Sequence, residues 1–261
     1  NISFMKEITF LAGDDYIAMS NHPPEPIKFS LPEWYKKMDP AKLVDVSAGD
    51  KRGRTVKSCV PFLDALTTGY ALKLPVDYHL RITKQENQKF KVEMGPLFQN
   101  TGLAGIDDYL KKINADPNIE HHGSEQIKYK ELQEKNYNVN FGKFLNPWII
   151  KTPLGYSCLF VHPLNNHSLP FEIIAGIVDT DTFGLPVNFP FNLNKEKFPN
   201  GVDMVIKAGT PFVQVIPFKR ESWKMKIKKL NFKEYFREVG RYNLHWLHWY
   251  RKFKWFKKDF K

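Results

Sequence analysis

Apolar and polar residues alternate most regularly in Lys89-Phe90-Lys91-Val92-Glu93-Met94, the spacing of a half-buried strand. A looser version runs through 70–82 and predicts further strands. Between Trp148 and Lys229 the signal is densest: short apolar runs at 156–162, 172–179, 187–193, 205–207 and 212–218 are separated by Gly, Pro and Asn. Short strands at such spacing point to an antiparallel sandwich or barrel. The absence of alternating strand and helix patterns, and of any glycine-rich phosphate loop, excludes Rossmann and P-loop architectures.

The flanks differ. Prolines at 23, 24 and 26 keep the early chain extended, and 31–38 reads as one or two helical turns opened by Pro32. Residues 59–66 form a short buried segment ending at Gly69, and the polar stretch 100–140 reads as a surface insertion. After residue 218 the period changes to three and four. Phe232, Tyr235, Phe236, Val239, Tyr242, Trp246, Trp249 and Phe253 fall on one face of a predicted long amphipathic helix, with Gly240 as its weak point. The fold expected is mainly β, a jelly-roll-like or dUTPase-like antiparallel barrel or sandwich over 1–218, followed by a basic helical tail over 219–261.

Charge sharpens that division. The 261 residues hold 39 Lys+Arg and 28 Asp+Glu, a formal charge of +11. Fifteen of the basic and four of the acidic residues lie in 219–261, so the tail carries all of the excess and the body balances at 24 of each. No apolar run approaches the ~20 residues of a membrane-spanning helix. Cys59 and Cys158 form no CxxC pair, which suits buried thiols in a reducing compartment and hence a cytoplasmic location.

Five motifs follow in order: Thr152-Pro153-Leu154-Gly155-Tyr156, His162-Pro163-Leu164-Asn165-Asn166, Gly176-Ile177-Val178-Asp179-Thr180-Asp181, Asn188-Phe189-Pro190-Phe191, and Gly209-Thr210-Pro211-Phe212-Val213-Gln214-Val215-Ile216-Pro217-Phe218. This order resembles a family of phage and bacterial proteins that carries no established activity, and implies a host-cell cytoplasm or virion setting. Gly176-Ile177-Val178-Asp179 with the later Gly-x-x-x-x-Gln strand is also similar to the trimeric dUTPase and dCTP deaminase superfamily. That resemblance implies a barrel in which Asp179 orients an attacking water. The Tyr that follows in that superfamily falls at Thr182 or Phe183, the next Arg is missing, and its Ser-Ser phosphate segment corresponds only to Leu164-Asn165-Asn166.

Several residues could carry chemistry. Asp179 is the candidate general base, with His162 or His167 assisting. Asp179 and Asp181 could form a metal or acid/base pair, which makes Asp181 a candidate binding residue, or could end their strand by bonding into the following turn. His162 and His167 could ligate a metal with Asp179, but the H-x-[DE] spacing of such sites is lacking. Asn165 and Asn166 are candidate binding residues or turn stabilisers. In the tail, Trp246, Trp249, Arg251, Lys252 and Lys254 could meet an anionic membrane surface, nucleic acid, a protein partner or a second copy. No motif names a cofactor. The leading expectation is a binding or assembly module docking through its tail. The alternative is a hydrolase of a nucleotide or small polar substrate.

Overall fold

The structure is a computed structural model that describes residues 6–13, 21–44, 51–86, 90–97, 119–121, 142–193, 196–244 and 249–261. The chain opens with β1 (Thr9–Leu11) and β2 (Glu25–Pro26), then α1 (Glu33–Lys37), which starts after Pro32 as its sequence requires. A hairpin of β3 (Ala41–Val44) and β4 (Lys51–Arg54) precedes α2 (Val60–Thr67). The segment expected to be buried there is a helix with Pro61 in its first turn, and of it only Leu66 is buried while Cys59 and Pro61 are exposed. Next come β5 (Tyr70–Lys73), β6 (Tyr78–Lys84), β7 (Phe90–Pro96), β8 (Ile119–His121), β9 (Gly142–Phe144) and β10 (Ile149–Lys151). The motif region supplies β11 (Tyr156–Val161), β12 (Phe171–Ile173), β13 (Gly176–Val178), β14 (Phe189–Leu193), β15 (Val202–Ile206) and β16 (Pro211–Lys219). Two helices end the chain, α3 (Phe232–Leu244) and α4 (Trp249–Phe253).

The strands assemble into antiparallel sheets ordered β13-β11-β16-β5-β2, β12-β14-β9-β8 and β15-β6-β7, with β1-β10 and β3-β4 as pairs. The mainly β expectation is met, while no closed barrel forms among the described residues. Two expected elements divide. The run 172–179 is two strands in different sheets: Ile174 N–H donates to Pro190 O, and the chain then crosses to pair Gly176 with Phe160. The single long helix expected for the tail is two, α3 and α4, since Glu238 and Lys254 meet at 3.1 Å and a continuous helix would hold them far apart. Most of the polar stretch 100–140 lies outside the described residues; of it only β8 is placed, paired to β9.

The core sits between the sheets and is strongly aromatic. Phe144 packs on Tyr78, Phe171, Phe191 and Phe212 at centroid distances of 5.5, 5.0, 4.4 and 5.2 Å. These tilted and edge-on contacts suit ring quadrupoles as well as bury area. β14 reads buried at every second residue, as a one-sided strand must, whereas β16 is buried over four consecutive residues from Phe212 to Val215. Cys158 lies fully enclosed there, and burial pushes its thiol up to about 11. Trp148 and Tyr35 are core residues and Trp34 borders solvent, stacked edge-on against Phe62.

Candidate functional site

The end of β11 and the turn after β13 meet over the last residue pairs of β16. Cys158 faces Val178 and Tyr156 faces Lys219, so Ser157, Asp179 and the chain leaving β16 share one corner. Ser157 Oγ donates to Asp179 Oδ1 at 2.6 Å. Arg220 reaches the same carboxylate at 3.2 Å and clamps Asp181 with both guanidinium nitrogens, while Gly155 N–H donates to Asp181 at 2.9 Å. Thr152 and Thr180 hydroxyls bond at 2.7 Å just behind. The Asp181 side chain is 1% exposed and the Asp179 side chain 61%. The Arg220 guanidinium holds the Asp181 carboxyl well below the usual range, aided by the Gly155 amide. Asp181 therefore knits the corner together. Asp179 faces solvent, with one oxygen engaged by a serine and an arginine.

His162 stands at the far end of β11, five residues beyond Ser157, roughly 16 Å at strand rise. Its Nε2 lies 2.8 Å from Asn166 O, so it carries the proton and donates. Its Nδ1 is buried and finds no partner among the described residues, and burial lowers the imidazole pKa below the ordinary value. His167 is exposed on the next turn. The structure does not bring Asp179, His162 and His167 to one place. Asn165 adopts φ 58°, the left-handed turn conformation that asparagine tolerates, and Asn166 Oδ1 accepts from Ser168 Oγ at 2.6 Å. Both asparagines shape a turn. Among the described residues no group of three or more His, Cys, Asp and Glu is placed to hold a metal ion.

The tail presents a different surface. Residues 221–231 carry no regular secondary structure, and α3 and α4 fold back on each other, as the Glu238–Lys254 and Tyr242–Trp249 contacts require. Lys254 pairs with Glu238 at 3.1 Å and lies over the Trp249 ring, which meets Tyr242 edge-on at 5.9 Å. Glu238, Arg241, Trp249, Phe253 and Lys254 line an open cleft of about 340 Å³. Arg251 and Lys252 point to solvent; Trp246 lies outside the described residues. No residue of α3 or α4 is buried. Trp223, Met225, Ile227, Leu244 and Phe256 are 88, 83, 86, 81 and 84% exposed.

No known protein family, curated protein or solved structure matches this chain.

From Trp255 the chain returns to the body. Trp255 Nε1 and Lys258 Nζ both donate to Asp64 Oδ2, at 2.9 and 2.6 Å. Lys28 pairs with Asp259 at 3.3 Å, and Phe260 meets Tyr70 edge-on at 5.7 Å. The tail is thus a loop anchored at both ends, at Arg220 and at 255–261. Sequence reasoning missed Arg220, Ser157 and this return. Arg220 is one of fifteen tail cations, and only its place directly after a strand end distinguishes it.

The two buried ionisable groups set an acid profile. His162 is disfavoured as imidazolium in the folded state, so stability is full above its unfolded pKa of about 6.5 and falls as pH drops below it. Asp181 is depressed, so its contribution is full above about pH 4 and is lost as pH falls further, towards its folded value. Thermal melting against pH is expected to show two downward limbs. His162→Gln removes the limb beginning near pH 6.5 and leaves the lower one. An unchanged upper limb in that variant assigns it elsewhere.

Proposed function

We propose that this protein is a non-catalytic binding or assembly module, with the β body as scaffold and the loop 221–253 as docking element. The observation that carries this reading is the number of large apolar side chains on the loop that face water, among them Trp223, Met225, Ile227, Phe232, Phe236 and Leu244. The motif side chains support it from the other direction. Asp181, Thr152, Thr180, Asn166 and Gln214 are spent on holding turns and strand ends together. Among the described residues the Asp179 carboxylate meets Ser157 and Arg220, while His162 stands at the other end of β11, which favours the binding reading over hydrolysis.

The structure sets the boundary for the test. Lys219 still pairs with Tyr156, and Arg220 belongs to the body, so the informative truncation ends at Glu221. The full chain and this variant are compared by light scattering over concentration, by anisotropy of a labelled single-stranded DNA and by flotation with lipid vesicles. The full chain is expected to engage at least one of these, and the variant to keep its circular dichroism and engage none. A full chain that stays monomeric and binds neither probe overturns the reading, as does a truncated chain that cannot fold.

A further inference from the structure

We infer that the docking loop binds an anionic lipid bilayer surface, a conclusion that rests on reading the loop as the docking element. Charge selects the class of partner. The arm 221–231 holds four basic residues and one acidic, and 249–261 six and one, while α3 is close to balanced. A second copy offers residues 1–218 of zero net charge and another tail, 219–261, of +11, which repels the first. The partner is therefore anionic.

The apolar side chains select within that class. Trp223, Met225 and Ile227 alternate with Lys224, Lys226 and Lys228, and in an extended chain successive side chains point to opposite sides. Laid extended on a surface, the arm becomes a ribbon with one apolar edge and one cationic edge. Among the described residues these three lysines pair with no carboxylate. A nucleic acid covers aromatic rings by stacking, but Met225 and Ile227 have no π-face to stack. Hydrocarbon covers all three, while headgroups meet the lysines. Few side chains are present to read bases: Asn231 is committed to capping α3, its Oδ1 accepting from Lys233 N at 3.1 Å. No described helix is long and apolar enough to cross a membrane, so the loop lies on the surface.

The test uses the full chain in flotation with vesicles of phosphatidylcholine, alone or with about one third phosphatidylserine. The expected result is affinity about tenfold or more higher for the anionic vesicles, falling with salt, with a blue shift of tryptophan emission. Trp223→Ser with Ile227→Ser removes side chains that lie almost wholly in solvent. This variant should fold as the parent does and lose most of the binding. Lys224→Glu with Lys226→Glu should abolish the lipid preference. Equal binding to both vesicles, or full binding by the Trp223→Ser, Ile227→Ser variant, overturns the inference. So does binding of a single-stranded DNA of about twenty nucleotides, or self-association, in place of vesicles; either leaves the docking reading standing. Failure of all three probes overturns both.

Discussion

Gln214→Leu is expected to destabilise the protein by about 3 kcal/mol or more, read as a lower urea midpoint with unchanged slope. The reason is a single buried amide that serves three backbone groups. Its Oε1 accepts from Leu164 N–H at 2.9 Å, and its Nε2 donates to Ala65 O at 2.9 Å and Thr68 O at 2.7 Å. Gln214 is fully buried on β16, between neighbours buried on both sides. Leucine nearly fills the volume but leaves one donor and two acceptors without partners, and each orphaned group costs about 1–3 kcal/mol. Gln214→Glu is expected to be worse, because an ionised carboxylate accepts only and would face two carbonyl oxygens. A variant as stable as the parent would mean that the end of α2 and the turn after β11 do not depend on this contact.

Gly69→Ala is expected to cost as much, for a steric reason. Gly69 has φ 84°, and a Cβ built on it would lie 2.1 Å from the Val215 carbonyl oxygen. Backbone cannot rotate away as a side-chain tip can, so either the α2–β5 turn or β16 must shift. Gly155 provides the control, since it has the same φ of 84° but no heavy atom within 4 Å of the added carbon. Gly155→Ala carries conformational strain alone, about 1 kcal/mol. The difference between the two alanine variants in chemical denaturation measures the clash, with about 2 kcal/mol expected and equality counting against it.

Both predictions fall on the same junction, and this bears on what could be read beforehand. β7 was legible because its solvent face is polar and its inner face apolar, which writes the period of two into the chain. Residues 172–179 read as one strand because both halves are apolar, and alternation cannot register a change of sheet between Ile174 and Gly176. The tail read as one helix because aromatic spacing of three and four continues from α3 into α4. The motifs were visible as words, but their partners were not. Thr152 meets Thr180, Gly155 meets Asp181, and Leu164 meets Gln214, each pairing one motif with another far along the chain. Asp77 likewise accepts from Ala208 N–H at 2.7 Å. One signal was available: Gln214 is a lone polar residue in an otherwise apolar central strand, and such a residue must be satisfied by something.

The double anchoring of the loop has a mechanical consequence. Pulled outward by whatever holds it, the loop loads β16 along its own axis through Arg220. That strand is hydrogen-bonded to β11 over six consecutive pairs, so the ladder resists in shear with its bonds sharing the force. The return anchor is a handful of side-chain contacts on Asp64, Lys28 and Tyr70, and it peels one contact at a time. Under tension the far end yields first and lengthens the tether, while the scaffold stays folded.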